Sequence, residues 1–337
     1  MADIPIPAVE TSTRKARFRG ESLLPKLLLS PSLLAIIVFV YGFIGMTIWV
    51  SFSNWRSASM DLSLADDPFE TYRRLFTMTR FQTDLRNSLV FTVLFLVFSV
   101  LIGLALALLL DQSVFGRSVF RNIFLFPYAL SFIVTGIAWR WVFNPETGIN
   151  LLLDSLGLNW LLGKLGVPEF WPPWLTTPDV VGDLGVWIPG LDGVRTQLGL
   201  PLAMIPVVIA AVWQLSGFAM AMYLAGLGTI SHEIREAAQL DGASRWRIYR
   251  DIIIPILRPI TVSILIILGH VSLKIFDLIY AMSGSGPGFA TDVPGIFVYE
   301  QTFRATRYNL GAAASIVMLI MVSIVIVPYL ARNLKEL

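Results

Sequence analysis

The stretch that decides the fold is EIREAAQLDGASRWRIYRDIIIPILRP, at residues 233–259. It is polar and helix-forming, whereas long apolar runs flank it on both sides. Glu233 and Glu236 stand in the first turns of a predicted short helix, where the helix dipole favours acidic side chains. We expect that helix to start at a Ser231 N-cap and to run to about Leu240. The chain thus places a compact polar helix between two apolar segments.

A second short helix is predicted to follow a fixed turn. Gly242 can take the left-handed conformation that ends a helix, and Ser244 can cap the next helix. Pro255 and Pro259 separate this second helix from the apolar run that follows. Small side chains keep one side of the turn slim, which suits the groove of a neighbouring protein. The alternative is an ordinary connecting loop with a solvated charged face.

The composition of the whole chain indicates an integral membrane protein. Of 337 residues, 55% are hydrophobic and 14% are charged, and the mean hydropathy is +0.71. Soluble domains carry about 25% charged residues. The chain has no cysteine, which excludes thiolate metal sites, disulfides and a cysteine nucleophile. A net charge of +2 without a long basic run gives no support for nucleic-acid binding.

Six apolar segments are long enough, or nearly so, to cross a bilayer, which takes about 20 residues in a helix. The predicted spans are 30–52, 88–110, 119–143, 201–225, 259–280 and 309–330. The domain they form is predicted over 27–331, with tails at 1–26 and 332–337, a long loop at 144–200 and a polar loop at 226–258. An even number of spans places both termini on one side of the membrane.

The distribution of basic residues sets the predicted orientation. Fourteen Lys and Arg residues lie on the side that holds the termini and the 226–258 loop, and nine lie on the other side. Cytoplasmic loops are enriched in Lys and Arg. The 144–200 loop holds two basic and six acidic residues, which suits an outer position. We therefore expect both termini and the 226–258 loop to face the cytoplasm.

The order of residues in 233–259 resembles the signature loop of the permease subunits of ABC importers. The pattern E-A-A-x-x-x-G followed by an Ile-Pro pair stands at Glu236, Ala237, Ala238, Gly242 and Ile254-Pro255. The family often has Leu-Pro at the last position and a proline where this chain has Ser231-His232. Neither difference breaks the helix-turn-helix.

Further stretches resemble the carbohydrate-uptake, maltose-type branch of that family. VFRNIFLFPYALSFIVTGIAWRWVFNPETGINLLL, at 119–153, carries the branch's order of Arg, Phe-Pro, Trp, Phe, Gly and Asn. FDLIYAMSGSGPGFAT, at 276–291, matches a second segment, with Ser283 and Ser285 in place of Thr and Gly. GFATDVPGIFVYEQTF, at 288–303, is similar to the α-glucoside subgroup.

The resemblance implies a fold and a set of partners. The fold would be an all-α, six-helix type I ABC importer permease bundle with a cytoplasmic coupling helix, in a bacterial inner membrane. The partners would be a second, different permease subunit, two cytoplasmic ATPase subunits and an extracytoplasmic solute-binding protein. The solute would be a sugar, an oligosaccharide or an α-glucoside.

The chain itself is not expected to be an enzyme. It contains no G-x-x-x-x-G-K-[ST] segment, the loop whose backbone cradles nucleotide phosphates. The resemblance implies that ATP and Mg bind to the partner ATPase subunits, so no cofactor or metal is expected in this chain.

The resemblance also assigns the residues that would contact the ATPase. They are Glu236, Ala237, Ala238, Asp241, Gly242 and Arg245. The glutamate would pair with a basic residue, the alanines would allow close approach and the glycine would set the bend. Plain helix propensity is the other explanation for the two alanines.

The solute pathway is expected on the two spans that flank the polar loop. A sugar needs aromatic platforms beside amide, hydroxyl or charged groups, and ionisable residues within spans are functional candidates. The candidates are Trp213, Gln214, Ser216, Phe218, Ser272, Lys274, Phe276 and Asp277.

Helical spacing predicts how those candidates are grouped. His270, Lys274 and Asp277 would form one polar stripe of the fifth span, and Ser272 and Phe276 another. The alternative explanations are packing for the tryptophan and mutual neutralisation for the lysine with the aspartate. His270 is expected to be a core histidine, and the Trp-Arg-Trp segment at 139–141 an interfacial anchor.

Other function classes stay open. An ion-coupled secondary transporter would show inverted repeats and mid-membrane acids, and Asp277 is the only acid predicted in the middle or outer part of a span. A membrane enzyme would need paired carboxylates or a metal cluster. The solute could be a polyol, a glycosylated compatible solute or glycerol phosphate. Clustered arginines would mark a phosphate, whereas the spans offer only Lys274 and Arg140, which favours a neutral solute.

Overall fold

The structure, a computed structural model, describes residues 23–112, 115–183 and 195–333. Those residues are mostly helical and include one two-stranded sheet. The chain divides into two compact units, Met1–Trp49 and Val50–Leu337. The predicted tail at 1–26 and the end of the tail at 332–337 lie largely outside the described residues.

The first unit contains one apolar helical segment. Helix α1 (Leu23–Ile36) continues through a π-helical stretch (Ile37–Gly42) into α2 (Phe43–Ser51). Lys26–Ser51 is long and apolar enough to cross a membrane, and it corresponds to the predicted span at 30–52. Most of its side chains are exposed.

The second unit begins with α3 (Glu70–Thr77) and the long helix α4 (Thr79–Asp111). Helix α4 starts nine residues before the predicted span at 88–110 and includes Asp84, which is fully buried. The polar residues 79–87 continue the apolar helix because packing against the rest of the unit holds them.

The third predicted span, 119–143, is not one continuous helix. It consists of α5 (Arg117–Leu125), a 3-10 turn (Phe126–Ala129) and α6 (Phe132–Val142), with a bend of 100° between the two halves. Pro127 supplies no backbone N–H to continue the helix. Ser131 then caps α6 by accepting a hydrogen bond from the backbone N–H of Val134. The predicted span at 119–143 is therefore a bent pair of helices.

The long loop predicted at 144–200 is largely structured where it is described. Its elements are α7 (Ile149–Ser155), α8 (Leu158–Lys164), a 3-10 turn (Trp174–Thr176), β1 (Val180–Val181) and β2 (Leu200–Pro201). The strands are antiparallel, with Val180 opposite Pro201. Buried Asn150 donates to the carbonyls of Pro145 and Pro172 and accepts from Trp174 Nε1 at 2.7 Å.

The remaining helices run from residue 204 to residue 333. They are α9 (Met204–Leu227), α10 (His232–Leu240), α11 (Arg245–Ile248), a π-helical turn (Tyr249–Ile253), α12 (Ile254–Ile256), α13 (Arg258–Leu273), α14 (Asp277–Met282), a 3-10 turn (Pro287–Phe289), α15 (Pro294–Tyr299), a second π-helical turn (Glu300–Arg304) and α16 (Tyr308–Asn333). Arg245–Ile256 meets α13 at a bend of 60°.

The fifth predicted span, 259–280, also ends early. Helix α13 stops at Leu273, and α14 begins only at Asp277 after the non-helical residues 274–276. The expected stripe of His270, Lys274 and Asp277 is therefore wrong, because the aspartate belongs to a different helix. The pairing of Ser272 with Phe276 on one helix face fails for the same reason.

Close helix packing forms the core of the second unit. Helix α4 packs along α9, and both contact α13. A Cβ placed on Gly103 of α4 would lie 2.5 Å from the Cβ of Ala219 on α9, so a small residue lets the two backbones approach. By length and composition alone, the described residues offer four helices able to cross a membrane, or six if each bent pair is one span.

Candidate coupling elbow and solute sites

The polar stretch at 233–259 forms a helix-turn-helix, called the elbow here and defined as residues 232–256. Helix α10 ends at Leu240, as predicted, and Gly242 has a φ of +79°. Ser244 caps α11 by accepting from the N–H of Arg247 at 3.4 Å. Ser231 occupies the N-cap position of α10, as predicted, but its side chain makes no capping hydrogen bond.

Most of the predicted coupling residues lie on the free surface of the elbow. Glu236, Ala237, Asp241, Gly242 and Arg245 are exposed. Ala238 is different, because only 8% of it is exposed and its side chain belongs to the hydrophobic core. Within this chain, Ala238 supports the elbow from the inside.

The two most exposed apolar residues of the elbow were not predicted as site residues. Leu240 is 89% exposed and Trp246 is 71% exposed, on either side of the Gly242 turn. Large apolar side chains held open on a polar helix pair indicate a contact surface for another molecule. The tryptophan was visible in the sequence, but its direction depends on the turn.

The inner side of the elbow is fixed to the bundle. Ile248, Ile253 and Leu257 are buried in the main core. Arg235 Nη1 lies 2.7 Å from Asp111 Oδ2 at the end of α4, and both side chains are largely buried. An acid in the last turn of a helix opposes the helix dipole, and the guanidinium compensates for it. The ion pair joins the elbow to α4. It could not be predicted from the sequence, because 124 positions separate its two residues.

The candidates on α9 divide into packing residues and groove residues. Gln214 is buried, and its Nε2 donates to the carbonyl of Leu130 at 2.8 Å. This bond gives a partner to a backbone carbonyl at the break before α6. Phe218 stacks on Tyr128 with ring centroids 5.4 Å apart. Trp213 and Ser216 line an apolar groove of about 830 Å³.

The candidates after His270 lie near a helix break. Ser272 is buried and donates to the carbonyl of Gly269 at 2.9 Å. Phe276 stacks on Tyr280. Lys274 and Asp277 are both exposed, and the described residues show no ion pair between them, which argues against mutual neutralisation. None of these four lines the groove beside Trp213, so the structure does not bring the two candidate sets into one cavity.

A polar cavity of about 750 Å³, called the recess here, lies at the C-terminal end of α14. Arg140, near the C-terminal end of α6, and Asn144, just after that helix, line one side of it. The loop 283–287 and the π-helical turn that holds Glu300 and Arg304 form the other. Single π-helical turns within helices occur frequently at functional sites.

A buried ion-pair network holds the loop beside the recess. Arg80 of α4 places Nε 2.7 Å from Asp292 Oδ2 and Nη2 2.6 Å from Glu300 Oε2. Asn87 donates to the carbonyls of Phe289 and Asp292. Burial raises the pKa of the Asp292 carboxyl above its ordinary value, and the Arg80 guanidinium opposes that rise. Sequence analysis missed the network because its members come from regions more than 200 positions apart.

Next to that network lies a further buried acid. Asp84 is fully buried on α4, one turn after Arg80, and its carboxyl group interacts with that of Asp292. The ranges that the structure describes hold no group of three or more His, Cys, Asp or Glu that could bind a metal ion.

Comparisons with known proteins agree with this arrangement. The chain is 38% identical to the probable ABC transporter permease protein of Pyrococcus horikoshii, over 92% of this chain and 95% of that protein. It is 33% identical to the xylose/arabinose import permease protein of Haloferax volcanii, over 89% of this chain and 84% of that protein.

A solved structure shares the fold. It is a bacterial alginate ABC transporter in complex with its alginate pentasaccharide-bound periplasmic protein, matched with a TM-score of 0.69 at 20% identity. The match covers 94% of this chain and 96% of that chain. The six-helix type I permease architecture expected from the sequence is thereby confirmed, with two of its spans bent.

A sequence profile of one family matches residues 99–336, which include the elbow, α9 and the recess loop. The chain therefore belongs to the binding-protein-dependent transport system inner membrane components, the permease subunits of ABC transporters.

Proposed function

We propose that this permease carries a sugar across the cytoplasmic membrane, driven by ATP hydrolysis on two partner subunits that dock on the elbow. An extracytoplasmic binding protein delivers the sugar, and a second, different permease completes the pathway. ATP and Mg bind to the partner subunits and not to this chain. Both termini and the elbow face the cytoplasm.

The observation that carries the docking role is the build of the elbow. Its outer side displays Glu236, Leu240 and Trp246, while its inner side is fixed by core packing and by the pair between Arg235 and Asp111. A partner that pushes on a rigid helix pair moves whatever that pair is fixed to. A flexible loop would absorb the same displacement.

A sugar is supported by the chemistry of the recess and by the relatives. The recess combines an aromatic ring with hydroxyl, amide and charged groups, as polar solutes with apolar ring faces require. The Haloferax relative is named for xylose and arabinose, and the solved transporter binds alginate through its partner.

Reconstitution with candidate ATPase and permease partners in liposomes tests this function. Binding protein loaded with xylose, arabinose, maltose or trehalose should raise ATP hydrolysis for at least one of these sugars. Glu236→Lys should abolish that stimulation by placing a positive charge at the docking surface, while Glu169→Lys, an exposed acid of the 144–200 loop, should not. Unchanged stimulation in Glu236→Lys would refute the docking role.

A further inference from the structure

The recess has the volume of a small-molecule site. Its volume of about 750 Å³ lies within the range of about 300–1,000 Å³ that ligand pockets occupy. It opens at the end of α14, where the bundle gives way to loops. Its wall is polar, in contrast to the apolar groove beside Trp213.

Tyr280 provides a fixed aromatic surface in this wall. Its ring stacks on Phe276, with centroids 5.1 Å apart and planes at 18°, and meets Tyr299 edge-on at 5.3 Å. The ring is only half-buried and lines the recess. An aromatic group held in this way can receive a flat apolar face at little cost in side-chain entropy.

Two arginines stand beside that ring. Arg304 Nη2 donates to the Tyr280 hydroxyl at 3.0 Å, and its guanidinium lies 5.8 Å from the centre of the Tyr299 ring. Arg140 lines the same recess and forms no ion pair within the described part of the chain. A guanidinium has five N–H donors, so both side chains keep donors for oxygen atoms of a ligand.

Glu300 supplies an acceptor to the same cavity. Its Oε2 is committed to Arg80, and its Oε1 accepts from Ser285 at 3.3 Å. Since Arg80 also pairs with buried Asp292, the carboxylate is held in place from behind. The recess thus presents an aromatic face, donors and an acceptor to one cavity.

We propose that the recess binds one sugar unit of the transported solute, with Tyr280 against the ring face and Arg140 and Arg304 at the hydroxyl oxygens. This inference rests on the proposed function and adds a subsite at the entry end of the bundle. A lipid tail would not match the polar wall. An inorganic ion would leave the aromatic surface without a use.

Saturation-transfer NMR on the assembled transporter without its binding protein tests the subsite. The probes are xylose, arabinose, maltose and trehalose. At least one should bind the wild type, and Tyr280→Ala should weaken that binding about tenfold, since an aromatic contact contributes about 0.5–1.5 kcal/mol beyond its area. Arg140→Gln should weaken it severalfold. Tyr280→Phe keeps the ring and should lose less than Tyr280→Ala.

Arg121→Gln is the matched control for Arg140→Gln, because both are exposed arginines without an ion pair in the described ranges. Each variant is first shown to assemble with its partners as the wild type does. Equal probe binding in wild type, Tyr280→Ala and Arg140→Gln would overturn the subsite, as would a wild type that binds none of the probes. If sugar stimulates ATP hydrolysis in the wild type while the recess variants bind the probes as the wild type does, the proposed function stands and only the subsite is refuted.

Discussion

The elbow and the recess lie at opposite ends of the α13–α14 stretch and are held in opposite ways. The elbow is a regular helix pair with a turn at Gly242, fixed by apolar contacts and one ion pair. The recess is bounded by an irregular loop with left-handed glycines at 284, 286 and 288, fixed by buried charges that reach across from α4. A regular element suits a mechanical contact, whereas an irregular one can place several polar groups around a cavity.

The largest expected effect comes from the charges behind the recess. Arg80→Gln would leave Asp292 buried without its cation, and breaking a buried pair in this way costs about 3–5 kcal/mol. Thermal unfolding in detergent measures the loss. Arg56→Gln removes an ion pair with Glu70 in which the two side chains are 43% and 49% exposed. This change should lower the free energy of unfolding by no more than about 1 kcal/mol. Similar losses for the two variants would mean that the network does not hold the loop.

Alanine substitutions at two glycines compare the turn of the elbow directly with that of the recess loop. Gly286 has a φ of +67°, and a Cβ there would lie 2.5 Å from Thr291 Oγ1, whereas Gly242 has a φ of +79° and open space around it. Gly286→Ala should therefore cost about 2–4 kcal/mol, from backbone strain and overpacking together. Gly242→Ala should cost only the strain of about 1–2 kcal/mol. Thermal unfolding ranks the pair, and the reverse order would contradict the different packing of the two turns.

The elbow could be predicted from the sequence, and the recess could not. The helix ends of the elbow follow from capping residues, and its turn follows from a glycine. The exposure of Glu236 follows from short-range periodicity. The recess depends on Arg80, Asp292 and Glu300, which lie far apart along the chain, so only the fold brings them together. Ala238 shows the limit within the elbow, because the motif treats it like Ala237 while tertiary packing buries it. The break between α13 and α14 was likewise hidden, because no glycine or proline stands at residues 274–276 to mark it.

The ion pair beneath the elbow predicts a smaller change. Arg235→Gln should cost about 1.5–3 kcal/mol, the range for a hydrogen bond to a charged group. It should also lower sugar-stimulated ATP hydrolysis without releasing the ATPase, since the elbow would lose its connection to α4. Arg73→Gln, which removes an exposed pair with Asp67 outside the elbow, is the control and should change neither quantity. Full stimulation in Arg235→Gln would show that the pair does not transmit motion.

The exposed apolar residues of the elbow are expected to contribute least to folding stability and most to assembly with the ATPase. Leu240→Ser and Trp246→Ser alter exposed side chains and should shift the free energy of unfolding by less than about 0.5 kcal/mol. Both should nevertheless reduce co-purification of the ATPase partners. Leu156→Ser, another exposed leucine outside the elbow, should leave co-purification unchanged. Normal assembly of both elbow variants would show that these apolar side chains are not part of the docking surface.

Cysteine cross-linking tests the central claim most directly, because the chain has no natural cysteine to interfere. Single cysteines at Ala237, Leu240 and Ala238 would be treated with a short bifunctional reagent in the assembled transporter. The exposed positions Ala237 and Leu240 should capture an ATPase subunit, and the buried position Ala238 should not. Capture at none of the three positions, or equal capture at all three, would contradict an elbow whose outer side alone receives the ATPase.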